Sequence, residues 1–243
     1  MSHGTGQNDH AHPTHGTRAR GPSSRPSPSS LIRLYDQRAA AAHSGLRPVH
    51  DWVDDHVARP HPDLGRRGAV CPFVPLAQRL DLIRFALAEP PVADEAGLTA
   101  AVAALKEQWL AMEPRSGPHT VDKTIVLVLA GVPAETVVRV HDRCKPGFVA
   151  DGMMLGEFFP GHPGPGLHNP DFRPLHCDVP LLVARSMVGN DLPFLAEERY
   201  PAARRARFVA SFLEHQPSAS PEARERARRE LARARTELGQ PPG

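Results

Sequence analysis

Three features this chain has little of narrow its reading before any motif does. It has only three cysteines in 243 residues, Cys71, Cys144 and Cys177. An odd, small set does not make a disulfide framework, and the N-terminus lacks the charged, apolar and small-residue succession of a secretory signal. Reduced thiols in a cytoplasmic protein are therefore expected. No apolar run approaches the roughly 18 to 20 residues that span a bilayer. The longest, "TIVLVLAGV", suits a buried strand. Charge of one sign is not in excess either: 29 Lys and Arg face 27 Asp and Glu, a formal +2. That balance gives no general attraction to nucleic acid or to an anionic membrane.

Proline is what the chain has in quantity, 27 residues concentrated at the ends and in loops. Residues 1–30 contain almost no large apolar group, so ordering them would cost entropy without burial to offset it. They read as a disordered tail whose His3, His10, His12 and His15 are solvated or bind a transition metal weakly. Residues 31–60 read as N-terminal helices. "SSLIRLYDQRAAAAHSGL" takes Ser30 as its N-cap, and "VHDWVDDHV" ends before Pro60. A single domain is expected over 61–200 and a helical extension over 201–243.

Inside that domain the periodicities are clear. Residues 81–88 alternate as a strand, with Ile83, Phe85 and Leu87 on one face. Residues 93–112 carry Leu98, Val102, Leu105 and Trp109 at helical spacing. Residues 123–132 are apolar on both faces, which predicts a central strand. Residues 133–144 follow as a helix that "KPG" should end. Strands are expected at 153–159 and 179–188, and "NDLPFLAEERY" opens a helical region that "PAARRARFVASFLEHQ" continues. Ser220 and Pro221 start a last, solvated helix. The fold class that follows is α+β or α/β: a mixed sheet of about four strands with helices packed on it, in thioredoxin-like or ferredoxin-like order.

Two stretches carry chemistry. In "HPDLGRRGAVCPF" (61–73), Pro72 fixes its own backbone angle and biases Cys71 away from helix, so the thiol stands on a stiff bend. A thiol so presented can ligate heme iron, and so can His61; Arg67 can pair with carboxylates. The plainer reading makes Cys71 a small buried thiol and His61 a hydrogen-bonded structural residue. The second stretch, residues 160–195, is a loop rich in Gly and Pro followed by an apolar strand. It carries His162, His168, Asn169, Arg173, His176, Cys177 and Asp178, without the spacing of a zinc site. Arg185 lies among apolar residues and needs a carboxylate partner, for which Asp191 is the first candidate.

The pieces "HPDLGRRGAVCPF", "GEFFPG" and "NPDFRPLHCDVPLLVARSMVGNDLPFL" resemble a bacterial domain-of-unknown-function family over about residues 46 to 200. Cys71, Pro72 and Phe73, with "GEFF", are more distantly similar to YqcI/YcgG-type proteins, a group that includes heme-dependent N-oxygenases. That likeness implies a heme-dependent oxygenase or oxidoreductase of bacterial secondary metabolism. Heme would lie between residues 61–73 and 160–178, held by His61 or Cys71, with His168 or His176 next in line. Arg67, Asn169, Arg173, Arg185 and Asp191 would surround the reaction. A small-molecule substrate is the expected partner, with a homodimer as the expected assembly. The competing readings are a non-catalytic binding or assembly module and a metal-free enzyme with a Cys/His site.

Overall fold

The computed structural model describes Met1, His3 and residues 32–88 and 94–239. The disordered-tail reading of residues 1–30 otherwise lies outside the described residues. Four strands form one sheet: β1 Ile83–Leu87, β2 Thr124–Val128, β3 Met153–Phe158 and β4 Leu181–Ser186. Their lateral order is β1-β2-β4-β3. β1 and β2 run parallel, while β4 is antiparallel to both β2 and β3. This is the expected mixed sheet, with β2 inside it. The succession of elements is strand, helix, strand, helix and an antiparallel pair, not the βαββαβ of a ferredoxin-like sandwich.

Helices cover both faces, which is why β2 can be apolar throughout. On one face Ile125, Leu127 and Leu155 pack against α4 (Glu95–Ala111) and α5 (Ala134–Ala150) through Leu98, Leu105, Val137 and Val140. On the other, Phe85, Val126 and Leu181 pack against α1 (Gln37–Ala42), α2 (Arg47–Trp52) and α3 (Val74–Arg79) through Ala40, Val49 and Ala77. The helices before His61 thus share the core of the sheet. A third cluster joins β3 to α6 (Leu192–Leu195), α7 (Ala202–His215) and α8 (Pro221–Glu237) through Met154, Leu195, Phe212 and Ala227. Among the described residues no helix is long and apolar enough to cross a membrane.

Three local expectations are corrected. The first helix starts at Gln37, capped by Asp36, whose carboxylate accepts from the Ala39 amide at 2.7 Å. Ser30, its expected cap, lies outside the described residues. Leu34 and Tyr35 lie outside the helix instead, because Tyr35 exchanges two 2.8 Å backbone bonds with Phe85 and adds to the sheet edge. Second, α5 does not stop at "KPG" but runs through Pro146 to Ala150. Phe148 and Val149 are buried in its last turn, and Lys106 Nζ donates to the Gly147 carbonyl at 2.7 Å, so tertiary contacts outweigh the missing proline amide. Third, α8 is not wholly solvated: Ala227 and Ala234 are buried.

α2 continues into a single π-helical turn, Val53–Val57. The backbone amide of Cys71 donates to the carbonyl of Val57 at 3.0 Å, and that of Val70 to Arg59 at 2.9 Å. The Cys-Pro bend is thus hung from the end of this turn.

Candidate functional site

The segment 61–73 and the loop 160–178 meet over the second face of the sheet. Several side chains read as chemistry turn out to tie these pieces together. The His61 ring accepts from the Asp63 amide at 3.1 Å and stacks on Phe172 at 4.7 Å. Asn169 donates to the Asp63 carbonyl at 2.8 Å and accepts from the Asp171 amide. Arg173 is exposed and donates to the carbonyls of Pro170 and Phe172. His176 is also exposed; it accepts from the Gly161 amide at 3.0 Å, so its other nitrogen carries the proton and faces Asp178 at 3.2 Å. Gly65 has φ 75° and touches the loop so closely that a Cβ would lie 2.7 Å from the His168 carbonyl oxygen.

Beneath this junction lies a cavity of about 620 Å³, a size typical of sites for small molecules and cofactors. Trp52, Val57 and Val70 wall it on one side, and Phe158, Val126 and Val183 of the sheet form its floor. Of the residues expected to face a ligand, Cys71, His168, Arg185 and Asp191 border it; His61, Arg67, Asn169, Arg173 and His176 do not. Arg67 is exposed, and its neighbour Arg66 borders the cavity instead, its guanidinium donating to the Arg67 and Val70 carbonyls. Arg226, at the start of α8, is a further cation on the rim.

Arg185 finds the partner its surroundings require. Its two terminal nitrogens donate to the two oxygens of Asp191 at 2.7 and 2.6 Å. Asp191 is buried and also accepts from the Val188 amide at 2.8 Å. Burial works against the Arg185 charge, and the Asp191 carboxylate more than restores it, so the guanidinium is held firmly protonated. Cys177 is a different kind of thiol from Cys71. It is buried in the core, and burial pushes it up to about 11, so it does not serve as a nucleophile near neutral pH.

A second cavity, of about 340 Å³, follows β3, the edge strand. It shares Phe158, Leu167, Leu175, Val183 and Arg185 with the first. At its inner end sits a polar cluster. Glu157, 4% exposed, accepts from Arg199 at 3.2 Å. His141 Nδ1 stands 3.3 Å from the other Glu157 oxygen, and His162 Nε2 is 3.9 Å from the first. Burial raises the Glu157 carboxyl, but His162, His141 and Arg199 outweigh it and hold the group below the usual carboxylate range. Lys145 donates to the Tyr200 hydroxyl at 2.9 Å and the Phe194 carbonyl at 3.2 Å. Burial brings its ammonium down to about 8 and raises the Tyr200 phenol.

This cluster does not make a metal site. The His162 Nδ1 accepts from the Gly164 amide at 3.0 Å, so Nε2 carries its proton toward Glu157 and offers no lone pair. Among the described residues no group of three or more His, Cys, Asp or Glu is placed to hold a metal ion. The sequence reading passed over Glu157, His141, Lys145, Arg199 and Tyr200. The signal that found Arg185 was present for three of them. Glu157 interrupts an apolar strand, and His141 and Lys145, four apart, sit on the same face of α5 as Val137 and Phe148.

A family model described as "Domain of unknown function (DUF6875)" matches residues 46–223. No curated protein and no solved structure matches the chain.

Proposed function

The chain belongs to the family of the DUF6875 domain, and for this member we propose that the 620 Å³ cavity holds heme and that the protein is a heme-dependent oxygenase or oxidoreductase. One observation carries the reading: the thiol of the "GAVCPF" bend stands on the wall of a cavity that is otherwise mostly apolar.

The donor set fits such a group. Cys71 offers a thiolate from a backbone anchored to Val57, and His168 offers an imidazole from the facing loop. Arg66 and Arg226 lie on the rim where propionate carboxylates would need cations. Heme, when bound, would supply oxygen activation at its iron, tuned by the axial donor. The protein's own share is then positional. Pro72 and the Cys71–Val57 bond fix the thiol, Trp52, Val70 and Phe73 give the cavity apolar wall beside it, and the Arg185–Asp191 pair closes the floor without a free charge. That closed pair also favours a second reading, a non-catalytic binder of an apolar small molecule, because it leaves no unmatched charge on the floor.

The test is a heme titration of the full chain followed in the visible spectrum. A Soret band retained at stoichiometric load is expected, and Cys71→Ser should move the ferrous–CO band while His168→Ala leaves it in place. Loss of all heme on desalting would reject heme and leave the binder; the reverse pattern of variants would move the ligand to His168.

A further inference from the structure

The chain has three lysines, and each is held differently. Lys106 is ion-paired with Asp151 and donates to the Gly147 carbonyl. Lys123, 1% exposed, lies against the Trp109 ring, donates to the carbonyls of Trp109 and Met112, and borders neither cavity. Lys145, 3% exposed, borders the second cavity.

The two partners of the Lys145 Nζ, the Tyr200 hydroxyl and the Phe194 carbonyl, are both uncharged. The carboxylates around it are committed elsewhere. Glu157 and Glu197 pair with Arg199 at 3.2 and 2.6 Å, and Asp142 faces Arg204 at 3.8 Å. Among the described residues none stands in ion-pair contact with Lys145. A buried ammonium without a carboxylate is costly, so its surroundings favour the free amine. Burial brings the group down to about 8, and a fraction of it carries a lone pair near neutral pH. Beyond Cε the nitrogen has three directions, and Phe194 and Tyr200 take two. The third is left for the lone pair. A desolvated amine held in this way is the form in which lysine attacks a carbonyl.

We propose that Lys145 forms an imine with a small, uncharged aldehyde taken up by the second cavity. The Nζ lone pair forms the C–N bond, the carbonyl π pair passes to oxygen, and that oxygen takes the proton the nitrogen sheds. The carbinolamine then loses its hydroxyl group and the remaining N–H proton as water, which leaves C=N. The step consumes no oxidant and no reductant. The wall argues against a charged ligand. Arg199 is spent on Glu157 and Glu197, and Arg185 on Asp191, so neither arginine of the cavity is free for a carboxylate or phosphate. Met154, Gly156, Pro163 and Pro165 border this cavity and not the first, and give the aldehyde a wall of its own.

The probe is propanal, incubated with the full chain and sodium cyanoborohydride at pH 8, with the propylated amines located by peptide mass spectrometry. The exposed Met1 amine gives the rate of unassisted labelling. Lys145 labelling should saturate with propanal and run at least about 10-fold faster than that of Lys106, whose amine is tied to a carboxylate. Lys123, as deeply buried but away from both cavities, should lag as well. Lys145→Arg should abolish the saturable phase and leave Met1 labelling unchanged. The ranking within the wild-type chain needs no variant, so it decides even where Lys145→Arg fails to fold. Lys145 left unlabelled, labelled no faster than Lys123, or labelled in linear proportion to propanal as Met1 is, would overturn the proposal. No heme enters the labelling, so this proposal and the heme reading fail separately.

Discussion

Removing one end of the Arg185–Asp191 pair should expose an asymmetry set by burial. Asp191 is buried, while the Arg185 side chain keeps 29% of its exposure at the cavity wall. Arg185→Ala leaves a buried carboxylate with the Val188 amide as its remaining donor. Breaking a buried pair from one side costs roughly 3–5 kcal/mol, and the retained amide bond places this case near the low end, about 3 kcal/mol. Asp191→Ala leaves a guanidinium that water can reach, at about 2 kcal/mol. Arg185→Lys keeps the charge but loses the two-pronged match, so it should lose about 2 kcal/mol rather than be tolerated. Replacing both, as Arg185→Met with Asp191→Leu, removes the stranded charge and should cost no more than about 2 kcal/mol. With the matching single variants Arg185→Met and Asp191→Leu, which strand the same charges at about the same costs, the pair would then show a coupling of about 3 kcal/mol in a double-mutant cycle. Urea unfolding followed by circular dichroism measures the parent and each variant, with a common slope confirming that only stability changed. A coupling below about 0.5 kcal/mol, or a lysine variant as stable as the parent, would refute the reasoning.

Three further outcomes follow from the same structure. Gly65→Ala should cost at least about 1–2 kcal/mol, because alanine is strained at φ 75° and its Cβ meets the His168 carbonyl; Gly68→Ala, at φ 91° but with its nearest neighbour at 3.7 Å, should cost less in the same unfolding assay. Lys145 gives up its proton at about 8 in the folded chain, whereas an unfolded lysine holds it to about 10.4, so the unfolded state binds more protons between these values and stability rises with pH there. Wild type should therefore gain up to about 2 kcal/mol on Lys145→Met between pH 8 and 9.5, and a flat difference would rule out the buried amine as its source. With iodoacetamide at pH 8, peptide mass spectrometry should find Cys71 modified before Cys144 and Cys177, whose thiols burial pushes up; Cys177 reacting first would contradict its placement in the core.

The strands and the long helices were legible because their side chains repeat. Leu98, Leu105 and Trp109 recur on one face of α4, and β2 is apolar on both faces because helices cover both. What the sequence misread depends on partners distant along the chain. Tyr35 lies outside the helix because Phe85 offers it two backbone bonds, and Pro146 is helical because Lys106 and the core hold the turn beyond it. The site divides in the same way. Arg185 was legible as a charge in an apolar strand, and Asp191 lay six residues away, within local reach. The loop residues Asn169, Arg173 and His176 read as chemistry from their type alone, yet they satisfy the backbone of their own loop and of its neighbour. Glu157 and His141 meet only once α5 is laid beside β3, a contact between elements that local spacing does not reveal.

The π turn at Val53–Val57 acts as a phase setter for everything hung below it. A turn of this kind holds one residue more than an α-helical turn. Deleting any one residue of 53–57 would let the helix relax to ordinary winding and rotate its exit by roughly 100°. The Val57 and Arg59 carbonyls would then point away from Cys71 and Val70. Such a chain would keep its sheet and every apolar side chain of α4 and α5, yet its thiol would no longer be hung from the turn. An insertion or deletion within this five-residue span should therefore displace the thiol as surely as a change at the bend itself, although Val53 and Val57 offer the cavity only apolar wall.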